Sequence, residues 1–426
     1  MPGLPHASSY YAATRNPAPD RPALRGDITA DVCVVGAGFT GLSAALHLAE
    51  RGYGVVVLES NKIGWGASGR NGGQALVGTS AGSLQTRDLL GEKWARQIWE
   101  LTLAAVARQK QLIQLHAIAC DYRPGYLYAA WNERHFAELR REFELLRSWD
   151  YAEARLVDAA EAAALLRGPK YAGGILDRAS GHLHPLNYAL GLAEAAERLG
   201  CRIFEDSSAT SLNGGKRPQV QTVEGLVRCR HVVLAGNAYL GHLDQGLREF
   251  ILPVVTYILA THPMAEARAR ALIPGDLCVS DSKRLLNYYH LTADHRLLFG
   301  GPAVSGVATL SGHETSLRRR MVSLFPSLGD LRTEYIWDGT VAISRNRLPH
   351  IGRLNGEIYF AQGYSGHGVA LTTLVGALIA EAIAGTAERF DVFAKLPHEK
   401  LPGGRRLALR MRILVLLWYR LQDALG

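Results

Sequence analysis

Three glycines at a fixed spacing are the first residues whose arrangement indicates a chemistry. Gly36, Gly38 and Gly41 form a GxGxxG pattern. It follows the apolar run 31–35 and precedes helix-like apolar spacing from Leu42, which predicts a strand, a tight turn and a helix. Such a turn brings backbone N–H groups and a positive helix N-terminus against a pyrophosphate. We therefore predict a dinucleotide site that includes Gly36, Gly38, Phe39, Thr40 and Gly41.

An acidic residue follows where the ribose of such a nucleotide would lie. Residues 55–58 predict a second buried parallel strand, and Glu59 comes directly after it. A carboxylate at this position accepts hydrogen bonds from ribose hydroxyls and repels a 2′-phosphate. NADP is therefore disfavoured, and FAD and NAD remain.

A glycine-rich stretch at 61–74 comes next in the chain. Its glycines expose backbone N–H groups that suit an anion or a flavin edge, and an arginine among them would offset pyrophosphate charge. A surface loop without a ligand is the alternative, but the position after the acid-bearing strand favours cofactor contact. The candidate residues are Ser60, Gly66, Ala67, Ser68, Arg70, Asn71, Gly72, Gly73 and Gln74.

Two later turns predict further parts of the same site. The apolar run 231–234 ends in a glycine turn, and the ligands of open α/β sheets lie at such strand ends. The run 358–361 ends in a second glycine-rich turn that precedes a long apolar helix at 369–384, whose N-terminus suits a negative charge on a reduced flavin. A single histidine in such a turn is more often structural than catalytic, so we assign it to the cofactor site. The candidates are Ala235, Gly236, Gly363, Tyr364, Gly366, His367, Gly368 and Val369.

Composition excludes several classes of protein. The chain has 426 residues, of which 48% are hydrophobic and 20% charged, as in a folded globular protein. The net charge of +8 is too diffuse to predict nucleic-acid binding. The five cysteines form no CxxC pattern or Cys/His cluster, so neither a disulfide scaffold nor a metal site is expected. The N-terminal segment lacks the apolar stretch of a signal peptide, and no run approaches the length of a membrane span, so we expect a cytoplasmic location.

Together, these motifs resemble the D-amino-acid oxidase superfamily of FAD-dependent amine oxidoreductases. The resemblance is carried by the glycine unit with Glu59, by GWGASGRNGGQ at 64–74, by LAGNAY at 234–239 and by AQGYSGHGV at 361–369. Within that superfamily, HASSYY at 6–11, the RNGGQ loop and WDGT at 337–340 are most similar to the gamma-glutamylputrescine oxidoreductases of bacterial polyamine catabolism.

The resemblance implies an α/β fold, with a Rossmann-like FAD-binding domain interleaved with an α+β, mixed-sheet substrate domain. It implies oxidation of an amine C–N bond, in which a hydride equivalent passes to flavin N5, the imine is hydrolysed, and oxygen or another acceptor reoxidises the flavin. Sarcosine-oxidase-like relatives attach FAD through a cysteine before the last turn. This chain has no cysteine after Cys278, so noncovalent FAD is expected. An oxidase or dehydrogenase of secondary amines or D-amino acids, a non-catalytic flavoprotein subunit and an NAD-linked dehydrogenase remain as alternatives.

The same resemblance divides the chain into segments. The FAD-binding domain is expected at 28–80, 180–250 and 340–390, the substrate domain at 81–179 and 251–339, and a tail at 391–426. In the tail, a basic amphipathic helix from Arg405 onward would lie at the inner membrane surface or dock on the chain itself or on a second subunit.

Candidate substrate residues come from the predicted strands of the second domain. Aromatic side chains there would wall a pocket over the flavin, although plain core packing is the more common role of such residues. An arginine just before LPHIG at 348–352 would hold a carboxylate in bidentate fashion, so a gamma-glutamyl cap would suit this site better than a bare polyamine. The candidates are Tyr257, Tyr288, Tyr289, Trp337, Arg345, Arg347 and His350.

Overall fold

The computed structural model describes residues 3–302 and 309–404. The strands in these ranges are β1 Gly26–Thr29, β2 Val32–Val35, β3 Val55–Leu58, β4 Gln74–Ala75, β5 Arg123–Ala130, β6 Ala154–Asp158, β7 Gly173–His182, β8 Arg202–Phe204, β9 Ser211–Asn213, β10 Gln219–Gln221, β11 Gly225–Arg228, β12 His231–Leu234, β13 Ile251–Thr261, β14 Cys278–Asp281, β15 Tyr288–Leu291, β16 Leu297–Pro302, β17 Thr333–Ser344, β18 His350–Asn355 and β19 Ile358–Gln362. The α-helices are α1 Tyr10–Ala13, α2 Phe39–Ala49, α3 Ser83–Leu90, α4 Glu92–Leu115, α5 Glu133–Ser148, α6 Ala159–Leu165, α7 Pro185–Arg198, α8 Gln245–Arg248, α9 Glu266–Leu272, α10 Leu310–Leu324, α11 Leu371–Ile383 and α12 Glu388–Ala394.

A six-stranded sheet forms the centre of the first structural unit. Its strand order is β18-β19-β12-β2-β3-β8, and β19, β12, β2, β3 and β8 run parallel. Every residue of β2 and β3 is buried, as expected for parallel strands that are covered on both faces. Helices α2 and α11 pack closely, because Gly376 leaves no side chain between them: a Cβ there would lie 2.6 Å from the Ala44 nitrogen. A small sheet of β1, β11, β10 and β9 flanks this unit.

A mixed sheet of nine strands forms the second unit. Its order is β17-β13-β16-β15-β14-β5-β7-β4, with β6 paired to β7. Cross-strand pairing places the row Trp337, Ile258, Gly300, Tyr288, Ser280 and Tyr128 on one face, which we call the nucleotide-side face. The neighbouring row Ile336, Leu259, Phe299, Tyr289, Val279 and Leu127 lies on the opposite face, which we call the far face. Helices α6, α9 and α10 contribute to the hydrophobic core of the far face.

The observed elements depart from the sequence predictions at several boundaries. The sequence predicts a short strand at 334–337, but β17 runs on to Ser344 because the long strand β13 pairs with it throughout. The predicted start of the second FAD-binding segment, residue 180, falls within β7, and the short strand β4 also pairs with the nine-stranded sheet. The apolar helix begins at Leu371, two residues after its predicted start.

Two predictions concern membranes and metals. Within 3–302 and 309–404, no single helix is both long and apolar enough to cross a membrane; only α11 and α12 taken together pass that test, and the chain bends by 118° between them. Those residues also contain no group of three or more His, Cys, Asp or Glu side chains suited to a metal ion. The predicted amphipathic helix of the tail lies outside the described residues.

Candidate functional site

The first glycine turn, residues 36–41, connects β2 to α2. Gly36 has φ +107°, a backbone conformation that side chains oppose. A Cβ at Gly41 would lie only 2.0 Å from the Gly36 carbonyl oxygen, so the helix approaches the strand as closely as its backbone allows. Gly38 is the N-cap of α2 and makes no side-chain capping hydrogen bond. The helix N-terminus thus lies beside a turn whose three glycines keep side chains away from the backbone, as a pyrophosphate site requires.

Glu59 lies at the end of β3 and is fixed by two backbone donors. Its Oε2 accepts from the Ala37 nitrogen at 2.8 Å and its Oε1 from the Asn61 nitrogen at 3.0 Å. Burial raises the pKa of Glu59, while the hydrogen bonds from Asn61 and Ala37 oppose that rise. The acid therefore lies against the first glycine turn, where the sequence predicts the ribose. The adjacent Ser60 is exposed, and its hydroxyl contacts Ser208.

The 64–74 loop folds back onto the start of α2. Ser68 Oγ accepts from the Phe39 nitrogen at 3.0 Å. Asn71 closes the loop by donating to the carbonyl oxygens of Ala67 and Ser68 and by accepting from the Gly73 nitrogen. The loop predicted to contact the cofactor therefore lies directly beside the first glycine turn.

Arg70 is held by the loop itself. Its guanidinium lies 4.2 Å from the Trp65 ring centroid, and its Nε donates to the Trp65 carbonyl at 2.7 Å. The Trp337 indole donates to the Arg70 carbonyl at 3.0 Å, which connects the loop to β17. Neutralisation of pyrophosphate charge by Arg70 stays a prediction.

The end of the same loop rests on the nucleotide-side face. A Cβ at Gly72 would lie 2.7 Å from the Tyr288 ring, so only glycine fits there. The Gln74 side chain donates to the Val279 carbonyl at 2.9 Å and accepts from Ser280 Oγ at 2.8 Å. The loop thus bridges the two sheets.

The second glycine turn, residues 235–237, follows β12 and contacts both other turns. A Cβ at Gly36 would lie 3.0 Å from the Ala235 carbonyl oxygen. Gly236 packs closely on Leu240, while Asn237 has φ +46° and accepts from the Gly363 nitrogen at 3.0 Å.

The third glycine turn, residues 363–368, leads into α11. Tyr364 and Thr40 hydroxyls are 2.9 Å apart, so this turn is hydrogen-bonded to the first. His367 Nε2 faces the Val77 carbonyl at 2.9 Å, and burial lowers the His367 pKa. A carbonyl only accepts hydrogen bonds, so Nε2 of His367 carries a proton and donates it to Val77. Gly366 has φ +86°, Gly368 packs against Tyr364, and the Val369 carbonyl accepts from Gln109.

The three turns meet at the carboxyl ends of the parallel strands β2, β12 and β19. Each contacts another through backbone or side-chain atoms, and the 64–74 loop covers the first. An extended nucleotide would fit this arrangement, with the α2 N-terminus holding its pyrophosphate, Glu59 its ribose, and the 64–74 loop and the third turn its flavin.

Comparison with known proteins decides the family. Residues 31–382 match the model described as "FAD dependent oxidoreductase", abbreviated DAO. The chain belongs to this family. The predicted superfamily, fold class and FAD-dependent oxidoreductase activity are therefore confirmed.

Individual relatives agree with this family assignment. The chain is 42% identical to a "Gamma-glutamylputrescine oxidoreductase" of Escherichia coli (strain K12), over 99% of both chains. It is 41% identical to a "Probable oxidoreductase OrdL" of Haemophilus influenzae, over 94% of this chain and 93% of that one. Among solved structures, glycine oxidase from Geobacillus kaustophilus superposes with a TM-score of 0.73 at 21% identity, covering 87% of this chain and 99% of that one. That last likeness concerns the fold.

The predicted pocket residues of this oxidoreductase lie on opposite faces of the nine-stranded sheet. Trp337 lies on the nucleotide-side face, where its ring is 5.4 Å from that of Tyr11. Tyr288 lies on the same face between Gly72 and Gly300 and hydrogen-bonds to Thr256; burial raises its pKa to about 12.

Tyr257 and Tyr289 require a correction. Tyr257 stacks on His313 of α10 with ring centroids 3.8 Å apart. Tyr289 is fully buried against Phe299 and Phe325. Both rings lie on the far face, on the opposite side of the sheet from the glycine turns, because the register turns these residues away. Tyr289 is a core residue, and the half-buried Tyr257 packs against the same core.

Two further candidates lie near the third turn but not in a pocket. His350 is buried among Phe250, Phe360 and His398, and burial lowers its pKa to about 3. Arg345 forms an ion pair with Glu399. The geometry therefore gives His350 a packing role and leaves Arg345 already paired.

Sequence reasoning did not single out Tyr126, Tyr128 or Asn237 for the site. Tyr126 and Tyr128 lie on the nucleotide-side face with nearly parallel rings, 6.3 Å apart and inclined by 13°. The sequence does contain a signal for these two tyrosines: residues two positions apart in a strand lie on the same face. Asn237 follows the second glycine turn, and nothing in the sequence indicates that its side chain reaches Gly363.

Proposed function

We propose that this enzyme uses FAD to oxidise the C–N bond of a primary amine whose distal end carries a carboxylate, of the gamma-glutamylputrescine class. The proposal is supported by the name of the 42% identical relative and by an arginine beside the third glycine turn that has no ion-pair partner among the described residues. FAD supplies the hydride acceptor. The polypeptide binds and orients the amine. The imine product then takes up water and releases ammonia and an aldehyde.

The substrate assignment depends mainly on the position of Arg347. It lies in the turn between β17 and β18, with φ +59°. Ser344 at the start of that turn donates its backbone N–H to Ser365 Oγ at 3.1 Å, so the turn is bound to the third glycine turn. Within 3–302 and 309–404, the structure shows no ion-pair partner for the Arg347 guanidinium, in contrast to Arg345.

The charge of Arg347 also reaches the nucleotide-side face. Burial raises the pKa of Tyr128 to about 12, and the Arg347 charge acts against that rise. A guanidinium here suits the carboxylate of a gamma-glutamyl cap, whereas it repels an uncapped diamine. The predicted role of an arginine in this segment is thus proposed for Arg347 rather than Arg345.

Two matched variants test this assignment. Arg347→Ala removes a charge-assisted bond worth about 1.5–3 kcal/mol, so kcat/KM for gamma-glutamylputrescine falls about 10- to 150-fold. Activity on putrescine stays the same or improves. Arg345→Ala serves as the control and leaves the preference for the capped amine unchanged. An Arg347→Ala enzyme that still prefers the capped amine by the wild-type ratio contradicts the assignment.

We also propose that the flavin is held without a covalent bond. All five cysteines are buried, and the last of them, Cys278, directs its thiol toward the Gly125 and Gly181 carbonyls of the mixed sheet. Acid precipitation is expected to release all of the FAD into the supernatant; yellow colour retained by the pellet would refute this. The location we propose is cytoplasmic, with oxygen or another acceptor reoxidising the flavin.

A further inference from the structure

Residues 3–24, which we call the N-terminal strap, lie ahead of β1 and contain one short helix, α1. They also precede residues 31–382, which match the family model. The strap has two parts that differ in how they are held. Residues 3–8, which we call the tip, contact the chain that follows β3. Residues 9–24, which we call the root, contact both structural units.

Buried contacts hold the root in place. Tyr11 is only 1% exposed, and its ring lies 5.4 Å from the Trp337 ring of the nine-stranded sheet. Arg21 is also buried and forms a bidentate ion pair with Glu197 of α7, with N–O distances of 2.6 and 2.7 Å. Contacts of this kind open only together with large parts of a fold, so the root anchors the strap.

The tip is held mainly by hydrogen bonds near the surface. The Leu4 N–H donates to Asn61 Oδ1 at 2.7 Å, and the Trp65 indole donates to the Pro5 carbonyl at 2.8 Å. The Leu4 side chain is 60% exposed, so it buries little apolar surface. Segments held by exposed hydrogen bonds and few apolar contacts open at low cost, so the tip can detach while the root stays bound.

Gly3 allows the tip to lie directly on the backbone beneath it. Its N–H donates to Asp206 Oδ1 at 2.8 Å. A Cβ at this position would lie 2.7 Å from the Ser60 carbonyl oxygen and 2.8 Å from Asn61 Cα. Both of these atoms belong to the chain that follows Glu59, and neither can move aside by a side-chain rotation. The closed tip therefore requires glycine at residue 3.

The partners of the tip are parts of the predicted FAD site. Asn61, whose side chain accepts from Leu4, donates its own N–H to Glu59 at 3.0 Å, and Glu59 is the predicted ribose ligand. Trp65 belongs to the 64–74 loop, which covers the first glycine turn through Ser68. The closed tip thus stabilises both the ribose acid and the cofactor loop.

We propose that the tip of the N-terminal strap is a latch on the cofactor, which closes over the chain between Asn61 and Trp65 and slows the release of bound FAD. When the tip detaches, Asn61 and Trp65 lose their partners in the strap, and the 64–74 loop can move away from the first glycine turn. The root keeps the tip close enough to bind again. This proposal concerns FAD alone, so its test is separate from that of the amine.

Gly3→Ala tests the latch, because the added Cβ forces the tip away from the backbone beneath it. Loss of three exposed hydrogen bonds is expected to speed FAD release about 10- to 100-fold. The flavin-loaded protein, without substrate, is mixed with an excess of an apoflavoprotein that captures free FAD, and the rate of transfer measures release. Release at the wild-type rate would overturn the proposal.

Leu4→Ala is the matched control, because it keeps the backbone N–H that binds Asn61 and removes only an exposed side chain. It is expected to release FAD at the wild-type rate. The Gly3→Ala apoprotein is expected to melt as the wild-type apoprotein does, since the tip lies outside the core. Equal acceleration in Leu4→Ala, or a much lower melting temperature in Gly3→Ala, would overturn the proposal.

Deletion of residues 3–8 gives a second test that does not depend on where an added Cβ moves the tip. The deletion keeps Ser9, whose side chain caps α1, and leaves the root contacts in place. FAD release from this variant is expected to be at least as fast as from Gly3→Ala. Wild-type release from the deletion variant would overturn the proposal.

Discussion

Gly41→Ala is the substitution that most directly tests how the first glycine turn works. The added Cβ would lie 2.0 Å from the Gly36 carbonyl oxygen and 3.0 Å from Val34 Cγ1. The first distance is about 1.5 Å shorter than a favourable carbon contact. Since the opposing atom belongs to the backbone, a side-chain rotation cannot relieve the clash, and α2 must move away from β2.

Such overpacking costs about 1–3 kcal/mol and displaces the helix N-terminus from the pyrophosphate position. If this free-energy cost destabilises the FAD-bound state, the Kd for FAD rises about 5- to 150-fold. Flavin fluorescence during titration of the apoprotein measures this Kd, and thermal unfolding of the apoprotein measures the strain.

Gly356→Ala is the control, because nothing lies within 4 Å of a Cβ at that hairpin position and its backbone is not left-handed. It is expected to bind FAD as the wild-type protein does. Wild-type FAD affinity and wild-type melting in Gly41→Ala would refute the close approach of helix and strand as the basis of this site.

Two further predictions use neighbouring residues and pH. Tyr288→Phe, on the nucleotide-side face, is expected to change KM or kcat for the amine with little loss of stability. Tyr289→Phe, on the far face, is expected to alter thermal stability and to leave kinetics unchanged. The reverse pattern in steady-state and thermal-unfolding assays would show that the two faces are wrongly assigned. Burial lowers the pKa values of His47, His184 and His290 to about 4, below the ordinary histidine value, so the unfolded chain binds more protons than the folded one between about pH 6.5 and 4. Their contribution therefore makes folding stability fall as pH drops through this window, by up to about 1.4 kcal/mol per pH unit for each histidine; urea unfolding at pH 7.5, 5.5 and 4.5 checks the direction, and equal stability at the three values would contradict it.

The nucleotide half of the site could be read from the sequence because its signals are local. A strand, three glycines, a helix and an acid occur within thirty residues, and each glycine has a steric reason visible in the fold. The contacts among the three turns were not readable. The Thr40–Tyr364 hydrogen bond joins residues far apart in the chain, and only the parallel strand order brings them together.

The substrate half shows the limit of sequence patterns. Tyr288 and Tyr289 are adjacent, and a strand must place them on opposite faces, but the sequence does not say which face meets the cofactor. The close packing of Tyr288 against Gly72 shows which face of the sheet meets the 64–74 loop. Arg345 and Arg347 are likewise equivalent in the sequence, and only the position of Glu399 shows which one is already paired.

Anaerobic mixing of the purified yellow protein with gamma-glutamylputrescine tests the central claim most directly. We expect loss of the visible absorbance of the oxidised flavin, with one aldehyde formed per flavin reduced, and a much slower loss with putrescine. A flavin that stays oxidised with the capped amine, or that is reduced faster by putrescine, would contradict it.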